Sequence, residues 1–382
     1  HRRHGVTVDP AQVLIVPGGK VTMFFACLMF GEPGAEILYP NPGFPIYESV
    51  INFSGATAVP IPLREEIGFA FSAEEVLGLI TPRTRLIILN SPANPTGGVT
   101  PRPEVERLVK GLAARPDIAI LSDEIYGQML YDGREHVSLL QYPEIRDRVI
   151  MLDGWSKTYA MTGWRLGFAV WPKALVETAT RLAINCHSCV NAAAQYAGIA
   201  ALRGPQDAVA EMMSAFDMRR RLIHRSLNAI PGVSCIDPAG AFYAFPNIAG
   251  TGIPAKALEV DLLEKAGVAT IAGTSFGRHG EGYLRVSYAN SRENIEAAIA
   301  RSRELRGLRA EKHTLQAAVS GRQIVSMAIG VIMERNGIDH ERAFAILRAR
   351  ARNQRRKLHD IAGDVVQAAE LLTVTEGERA RP

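Results

Sequence analysis

Six short, β-rich apolar runs separated by helix-like stretches constrain this chain more than any other feature. Val13–Val16, Ile37–Tyr39, Leu86–Leu89, Ile118–Leu121, Val149–Leu152 and Leu166–Val170 recur through the first 210 residues, with helical patterns such as Pro103–Ala114 between several of them. Alternation of this kind builds an α/β domain around a mostly parallel sheet. Ligands gather at the carboxyl ends of the strands in such sheets, so the residues after each run carry the functional information.

After Val13–Val16 comes Pro17-Gly18-Gly19-Lys20 and a helical run from Val21 to Met29. Glycines at a helix start let the backbone approach an anion, which the N–H groups and helix dipole favour. After Ile37–Tyr39, Phe44 or Tyr47 offers a face to a flat ring, and both also read as core aromatics. After Leu86–Leu89, the turn-rich segment Asn90–Gly98 places Asn94 between prolines, where its amide can donate to a ring oxygen. After Ile118–Leu121 comes Ser122-Asp123-Glu124-Ile125-Tyr126; an aspartate there can pair with a protonated ring nitrogen and Tyr126 can reach a phenolate oxygen. After Val149–Leu152, Ser156 and Lys157 precede Thr162-Gly163-Trp164-Arg165. A lysine in a partly dry site can lose its proton and attack a carbonyl. The serine and arginine around it can hold a phosphate.

Gly-Gly-Lys, Ser-Pro-Ala-Asn-Pro-Thr-Gly, Asp-Glu-Ile-Tyr and Ser-Lys-x-x-x-Met-x-Gly-Trp-Arg occur in one order. Together they resemble a fold-type I pyridoxal-phosphate aminotransferase of class I/II. The resemblance implies Lys157 as the Schiff-base lysine and proton shuttle, Asp123 on the pyridine nitrogen, Asn94 and Tyr126 on the ring oxygen, and Phe44 stacked on the ring. It places Gly18, Gly19, Lys20, Ser156 and Arg165 around the phosphate. The resemblance continues to about residue 305: Pro238–Phe245 looks like a small-domain strand, and Ile271–Gly277 and Gly282–Ala289 resemble the last two family blocks. Arg285 then matches the arginine that clamps the substrate α-carboxylate, with Phe44 and Asn94 beside it; a planar fork suits a carboxylate. The family normally carries a further N-terminal segment before the counterpart of His1, including part of the small domain and of the dimer contact.

The formal net charge of +4 conceals a lopsided distribution. Residues 1–300 carry a net −2, residues 301–357 a net +9 from 14 Lys/Arg against 5 Asp/Glu, and residues 358–382 a net −3. The break predicts a boundary near residue 300 and, for the basic part, either a polyanionic partner or a solvated helix surface. Three helical stretches follow: Leu315–Arg335, a second from an Asp339 N-cap, and Lys357–Leu372, with apolar stripes that pack as a bundle. Arg322-Gln323-Ile324, Ala328–Met333, Ala343-Phe344-x-x-Leu347, Ala351, Asn353 and Leu358 resemble an ANTAR domain, a three-helix RNA-binding module. That resemblance implies binding to RNA hairpins. Arg348, Arg350, Arg352, Arg355, Arg356 and Lys357 supply positive charge for phosphates.

The expected architecture is therefore α/β: a pyridoxal-phosphate-binding large domain over 1–210, an α+β small domain over 211–306, and a three-helix domain over 310–372. Composition excludes other classes. With 47% hydrophobic and 21% charged residues the chain reads as soluble, and its longest apolar run, Val21–Phe30, is too short to span a bilayer. His1–His4 leads into no apolar core, so no signal peptide is expected. Four cysteines point to a reducing, cytoplasmic compartment. Cys186-x-x-Cys189 lacks a second pair or histidines at zinc spacing, so no metal is expected. The resemblances imply a homodimer moving an amino group between an L-amino acid and a 2-oxo acid. The alternatives are an RNA-binding antitermination regulator with a degraded enzyme, and a C–S lyase on the same cofactor.

Overall fold

The computed structural model describes the backbone of residues 5–378, and their side chains except at 308–319 and 369–378. The readings of His1–His4, and of the side chains of 315–319 and 369–372, lie outside the described residues. The chain divides into two compact units, 1–302 and 303–382.

The first unit is built on a seven-stranded sheet. Its strands are β1 (Val13–Val16), β2 (Glu36–Asn41), β3 (Thr57–Pro62), β4 (Thr84–Asn90), β5 (Ala119–Asp123), β6 (Val149–Gly154) and β7 (Gly167–Val170), in the order β1-β7-β6-β5-β4-β2-β3. Neighbours from β3 to β6 are parallel, and β7 runs antiparallel to both β6 and β1. The helices between and after them are α1 (Lys20–Phe30), α2 (Ile46–Ser54), α3 (Ala73–Gly78), α4 (Arg102–Ala113), α5 (Lys173–His187), α6 (Ala192–Arg203) and α7 (Asp207–Asn228). The sheet is buried on both faces, as a parallel sheet must be. Ile87, Leu89, Ile120, Val149 and Met151 feed one core, and their neighbours Leu86, Ile88, Leu121, Ile150 and Leu152 feed the other. Side chains that alternate along a strand thus produce the continuous apolar runs of the sequence.

Strand β3 escapes a propensity reading because it contains Pro60 and Pro62. It is an edge strand, where a missing N–H leaves no ladder bond unmade. The second sheet has the order β8 (Tyr243–Ala244), β10 (Leu284–Ser287), β9 (Ile271–Ala272), all antiparallel, with α8 (Ala255–Ala266) alongside. Here the expectation of a strand across Pro238–Phe245 needs correction, since only Tyr243–Ala244 is strand. The preceding backbone is bonded elsewhere: Ala239 and Gly240 N–H donate to Gly97 O, and Ala241 N–H to Met129 O.

Helix α9 (Arg292–Asn336) begins well before the expected start near Leu315, and the division between units falls within it. It stops at Gly337, whose φ of 60° is left-handed and whose N–H donates to Met333 O. Then come α10 (His340–Asn353), capped by Asp339 on Arg342 N–H, and α11 (Leu358–Glu378). Ala328, Ile329, Ile332, Ala343, Leu347, Ala351, Ile361 and Ala362 form their shared core.

Candidate active site

A cavity of about 360 Å³ opens at the carboxyl ends of the central strands. Each of the cofactor- and substrate-site residues picked from sequence lines it except Gly18, which lies one residue outside its rim. Unanticipated Asn90, Thr162 and Tyr243 line it too.

At its floor Asp123 ends β5 and is 2% exposed. Tyr47 Oη donates to Asp123 Oδ2 at 2.6 Å, and Ile125 N–H to Oδ1 at 3.3 Å. Burial pushes the carboxyl up to about 6 against the opposing pull of these bonds. The position therefore suits a carboxylate facing a buried cation, which would draw the pKa back down. The Asn90 amide donates to Asp123 O at 3.0 Å, and Asn94 N–H donates to Asn90 Oδ1 at 2.9 Å, so the turn-rich loop is tied to the end of β5.

Lys157 lies in the short connection from β6 to β7. Its Nζ stands 5.8 Å from the Tyr126 ring centre and 5.3 Å from that of Phe242. Burial first, then the positive charge of Arg285, lowers its pKa, with Asp123 pulling the other way. The amine is thus more easily unprotonated than an exposed lysine.

Facing the N-terminus of α1, Arg165 adopts a left-handed φ of 52° that aims its guanidinium back at Pro17 O, 3.3 Å away, while Nη1 donates to Thr162 O at 2.8 Å. Gly18 has φ 93°, and a Cβ on it would run into that guanidinium. The Gly-Gly turn therefore makes room for the arginine as well as for an anion. Lys20 Nζ sits 5.2 Å from the Phe44 ring centre. Phe44 meets Tyr47 edge to face at 6.0 Å, so the ring left to core or cavity in the sequence faces the cavity while Tyr47 goes to Asp123.

On the opposite wall Arg285, from β10, donates Nη1 to Asn94 Oδ1 at 3.0 Å. Its guanidinium carbon lies 4.7 Å from the ring centres of both Tyr243 and Phe276. Its Nε is buried without a hydrogen-bond partner. Burial lowers its pKa, the negative character of Tyr243 and Tyr126 opposing. Tyr126 Oη and Tyr243 Oη are 2.9 Å apart.

In the second unit Arg348, Arg350, Arg352, Arg355 and Lys357 are exposed. Arg348 and Arg352 are one turn apart on the solvent side of α10, away from Ala343, Leu347 and Ala351. Arg356 is already engaged, with its two terminal nitrogens 2.7 and 3.3 Å from the Asp364 carboxylate oxygens. Among the described residues no group of three or more His, Cys, Asp or Glu is placed to hold a metal, and no helix is long and apolar enough to cross a membrane. All four cysteines are free thiols, Cys186 and Cys189 exposed.

The sheet and its strand-end cavity, lined by Lys157 and Asp123, fit a fold-type I pyridoxal-phosphate transferase. The family model for aminotransferase class I and II matches residues 1–301, and this chain belongs to that family. Its members generally use pyridoxal phosphate. The ANTAR domain model matches residues 313–366. The chain is 38% identical over 300 residues to the aspartate aminotransferase of Pyrococcus horikoshii, covering 78% of this chain and 76% of that protein. It is 36% identical to aromatic-amino-acid aminotransferase 2 of Thermococcus litoralis, covering 78% and 77%. The crystal structure of the aspartate aminotransferase from Rhizobium meliloti superposes with a TM-score of 0.76 at 32% identity, over 80% of this chain and 79% of that one.

Proposed function

We propose that the cavity holds pyridoxal 5′-phosphate and that the first unit transfers an amino group between an L-amino acid and a 2-oxo acid through Lys157. One observation carries the reading: a buried acid, a desolvated lysine, a flat aromatic face and two separate cationic grips converge on one cavity of about 360 Å³. The donor set fits the cofactor part by part. Gly18, Gly19 and Lys20 at the start of α1, with Ser156 and Arg165, offer N–H, hydroxyl and cationic donors to a phosphate. Phe44 offers a face to the ring, Asp123 a partner for its nitrogen, and Asn94 and Tyr126 donors for its oxygen.

When bound, the cofactor supplies a carbonyl for amines and an electron-poor ring that accepts the electron pair left at the substrate Cα. The protein supplies the rest. Asp123, fixed by Tyr47, holds the proton on the ring nitrogen. Arg285 grips the α-carboxylate with its free edge, so that Cα lies within reach of Lys157. Lys157 Nζ would take the Cα proton and deliver it to the former carbonyl carbon, its lowered pKa making it an effective base.

Lys20 and Arg165 answer the phosphate and Arg285 the α-carboxylate. The names of several relatives support an amino donor with a second carboxylate. We further propose the division into 1–210, 211–306 and 310–372, a cytoplasmic homodimer, and RNA hairpin binding by the last part.

The test is the spectrum of the full chain mixed with pyridoxal phosphate, before and after amino acids are added. We expect a visible band that L-aspartate bleaches and that Lys157→Ala abolishes. No cofactor uptake ends the reading, and pyruvate plus a thiol from a cysteine conjugate without a 2-oxo acceptor makes the enzyme a C–S lyase.

A further inference from the structure

Tyr243 belongs to none of the motifs that mark the cavity, yet it touches both Tyr126 and Arg285. It opens β8 and pairs across the sheet with Ser287, two residues beyond Arg285 on β10. It is 6% exposed. Its ring lies beneath the Arg285 guanidinium at 4.7 Å, with Phe276 at the same distance. Its hydroxyl is 2.9 Å from that of Tyr126.

Each contact answers a physical problem. Arg285 is a cation in a dry place, with Nη1 bonded to the Asn94 amide and a buried Nε without a partner. An aromatic face attracts a guanidinium and fixes the plane of its fork. Fixing that plane sets the angle at which the free edge meets a carboxylate, and a loose fork would pay for its ordering at every binding event. The second problem concerns a proton. Two phenols 2.9 Å apart share one hydrogen bond, and either can donate. If Tyr126 donates to Tyr243, its proton is unavailable to the cavity. If Tyr243 donates, the Tyr126 proton is free to point at an oxygen in the cavity. An anionic ring oxygen selects the second arrangement, and the resulting chain from Tyr243 through Tyr126 to that oxygen strengthens each bond in it.

We propose that Tyr243 is a positioning residue that couples Tyr126 and Arg285: its hydroxyl aims the Tyr126 proton at the cofactor ring oxygen, and its ring holds the plane of the Arg285 fork for the substrate carboxylate. The proposal rests on the cofactor reading above. It makes the two functions of one side chain separable, because Tyr243→Phe removes the first and keeps the second.

The experiment titrates the visible band of the full chain loaded with pyridoxal phosphate, for the wild type, Tyr126→Phe, Tyr243→Phe and the double variant. Weaker hydrogen bonding to an oxyanion raises the pH at which it forms. The band midpoint of Tyr243→Phe should therefore move upward, less than that of Tyr126→Phe. The double variant should move no further than Tyr126→Phe alone, since Tyr243 acts through Tyr126. The KM of Tyr243→Phe for L-aspartate should stay near wild type, whereas Tyr243→Leu should raise it roughly tenfold, the scale of a desolvated cation–aromatic contact, with less effect on kcat. A purely structural tyrosine would lower thermal stability and leave the midpoint in place. An unmoved midpoint in Tyr243→Phe, or additive shifts in the double variant, overturns the proposal while leaving the cofactor reading standing. A wild-type protein that takes up no cofactor overturns both.

Discussion

Arg285 and Arg348 are both cations that the proposed function gives to an anion, and the chain holds them in opposite ways. Arg285 is largely buried, its guanidinium between two aromatic rings and one terminal nitrogen tied to Asn94. Arg348 stands in solvent on α10, sharing its face with Arg352. The first arrangement selects a small ligand of one shape, because a desolvated fork loses much when the ligand's geometry is wrong. The second tolerates any spacing of phosphates, because exposed side chains adapt and the interaction is mostly counterion release. Substitutions should therefore act sharply in the first unit and gradually in the second.

Asp123→Ala should have the largest effect. A buried ion pair at an effective dielectric near 20 is worth on the order of 4 kcal/mol at contact, roughly a thousandfold in kcat/KM. Steady-state transamination measures it, and a loss below tenfold would break the contrast between the two units, because Asp123 would then behave like a surface charge. The thermal stability of the variant is informative as well. A carboxyl with its pKa raised from 3.8 to about 6 in the fold binds more protons folded than unfolded between those values. Before cofactor is added, stability should fall as pH rises through that window, and Asp123→Ala should flatten the fall.

Next in size is Glu124, the neighbour of Asp123 whose side chain turns to the opposite side of the sheet end. It accepts from Ser122 Oγ, Ser138 Oγ and Leu139 N–H and faces His136 Nε2 at 2.7 Å. Glu124→Ala should cost about 3 kcal/mol of stability by orphaning this buried cluster. Burial pulls the His136 pKa down, but the hydrogen bond and charge of Glu124 outweigh it, leaving the imidazole above its ordinary 6.5. The charged pair therefore stabilises the fold fully below about pH 6.5, and its contribution fades as pH rises through the higher folded value. Thermal melts should show the gap between wild type and Glu124→Ala narrowing on the alkaline side; a gap independent of pH would mean that the histidine is neutral throughout.

The same contrast explains what the sequence discloses. Asp123, Lys157 and Arg165 are legible because each lies next to a strand whose apolar run is plain: Asp123 ends β5, Lys157 lies just past β6, and Arg165 just before β7. Tyr243 is not legible as a site residue, and Tyr47 is legible only as a ring face or a core aromatic, not as a partner of Asp123. Tyr47 keeps helical step with Val50 and Ile51 and reads as core, and only the fold brings its hydroxyl to a carboxylate 76 positions away. Tyr243 follows a segment that reads as strand but bonds to Gly97 and Met129 instead. In the second unit the sequence discloses the sum of charge but not its pairing, and Arg356 illustrates this: it counts toward the basic cluster, and its guanidinium is on Asp364.

Arg348→Ala with Arg352→Ala should weaken hairpin RNA binding by the full chain about equally for different sequences. The slope of log affinity against log salt should fall by about 0.7–0.9 per arginine. Transamination should be unchanged, since neither residue lines the cavity. Loss of affinity for one hairpin sequence alone would place base reading on this face and make it resemble the first unit after all.

The smallest expected effect tests the contrast from the other side. Asp364 neutralises Arg356 across an exposed pair, so Asp364→Asn should release one guanidinium to solvent without disturbing the core built on Ala351, Ile361 and Ala362. Exposed pairs contribute little to folding, so thermal stability should hardly change. RNA affinity should rise less than tenfold, and the salt slope should steepen by about 0.7–0.9, one phosphate contact's worth. Filter binding over a range of salt concentrations reads both quantities. If affinity falls instead, the Arg356–Asp364 pair is a structural clasp at the turn between α10 and α11, where Arg355 takes a left-handed φ of 51°, and the surface arginines are positioned more rigidly than their exposure implies.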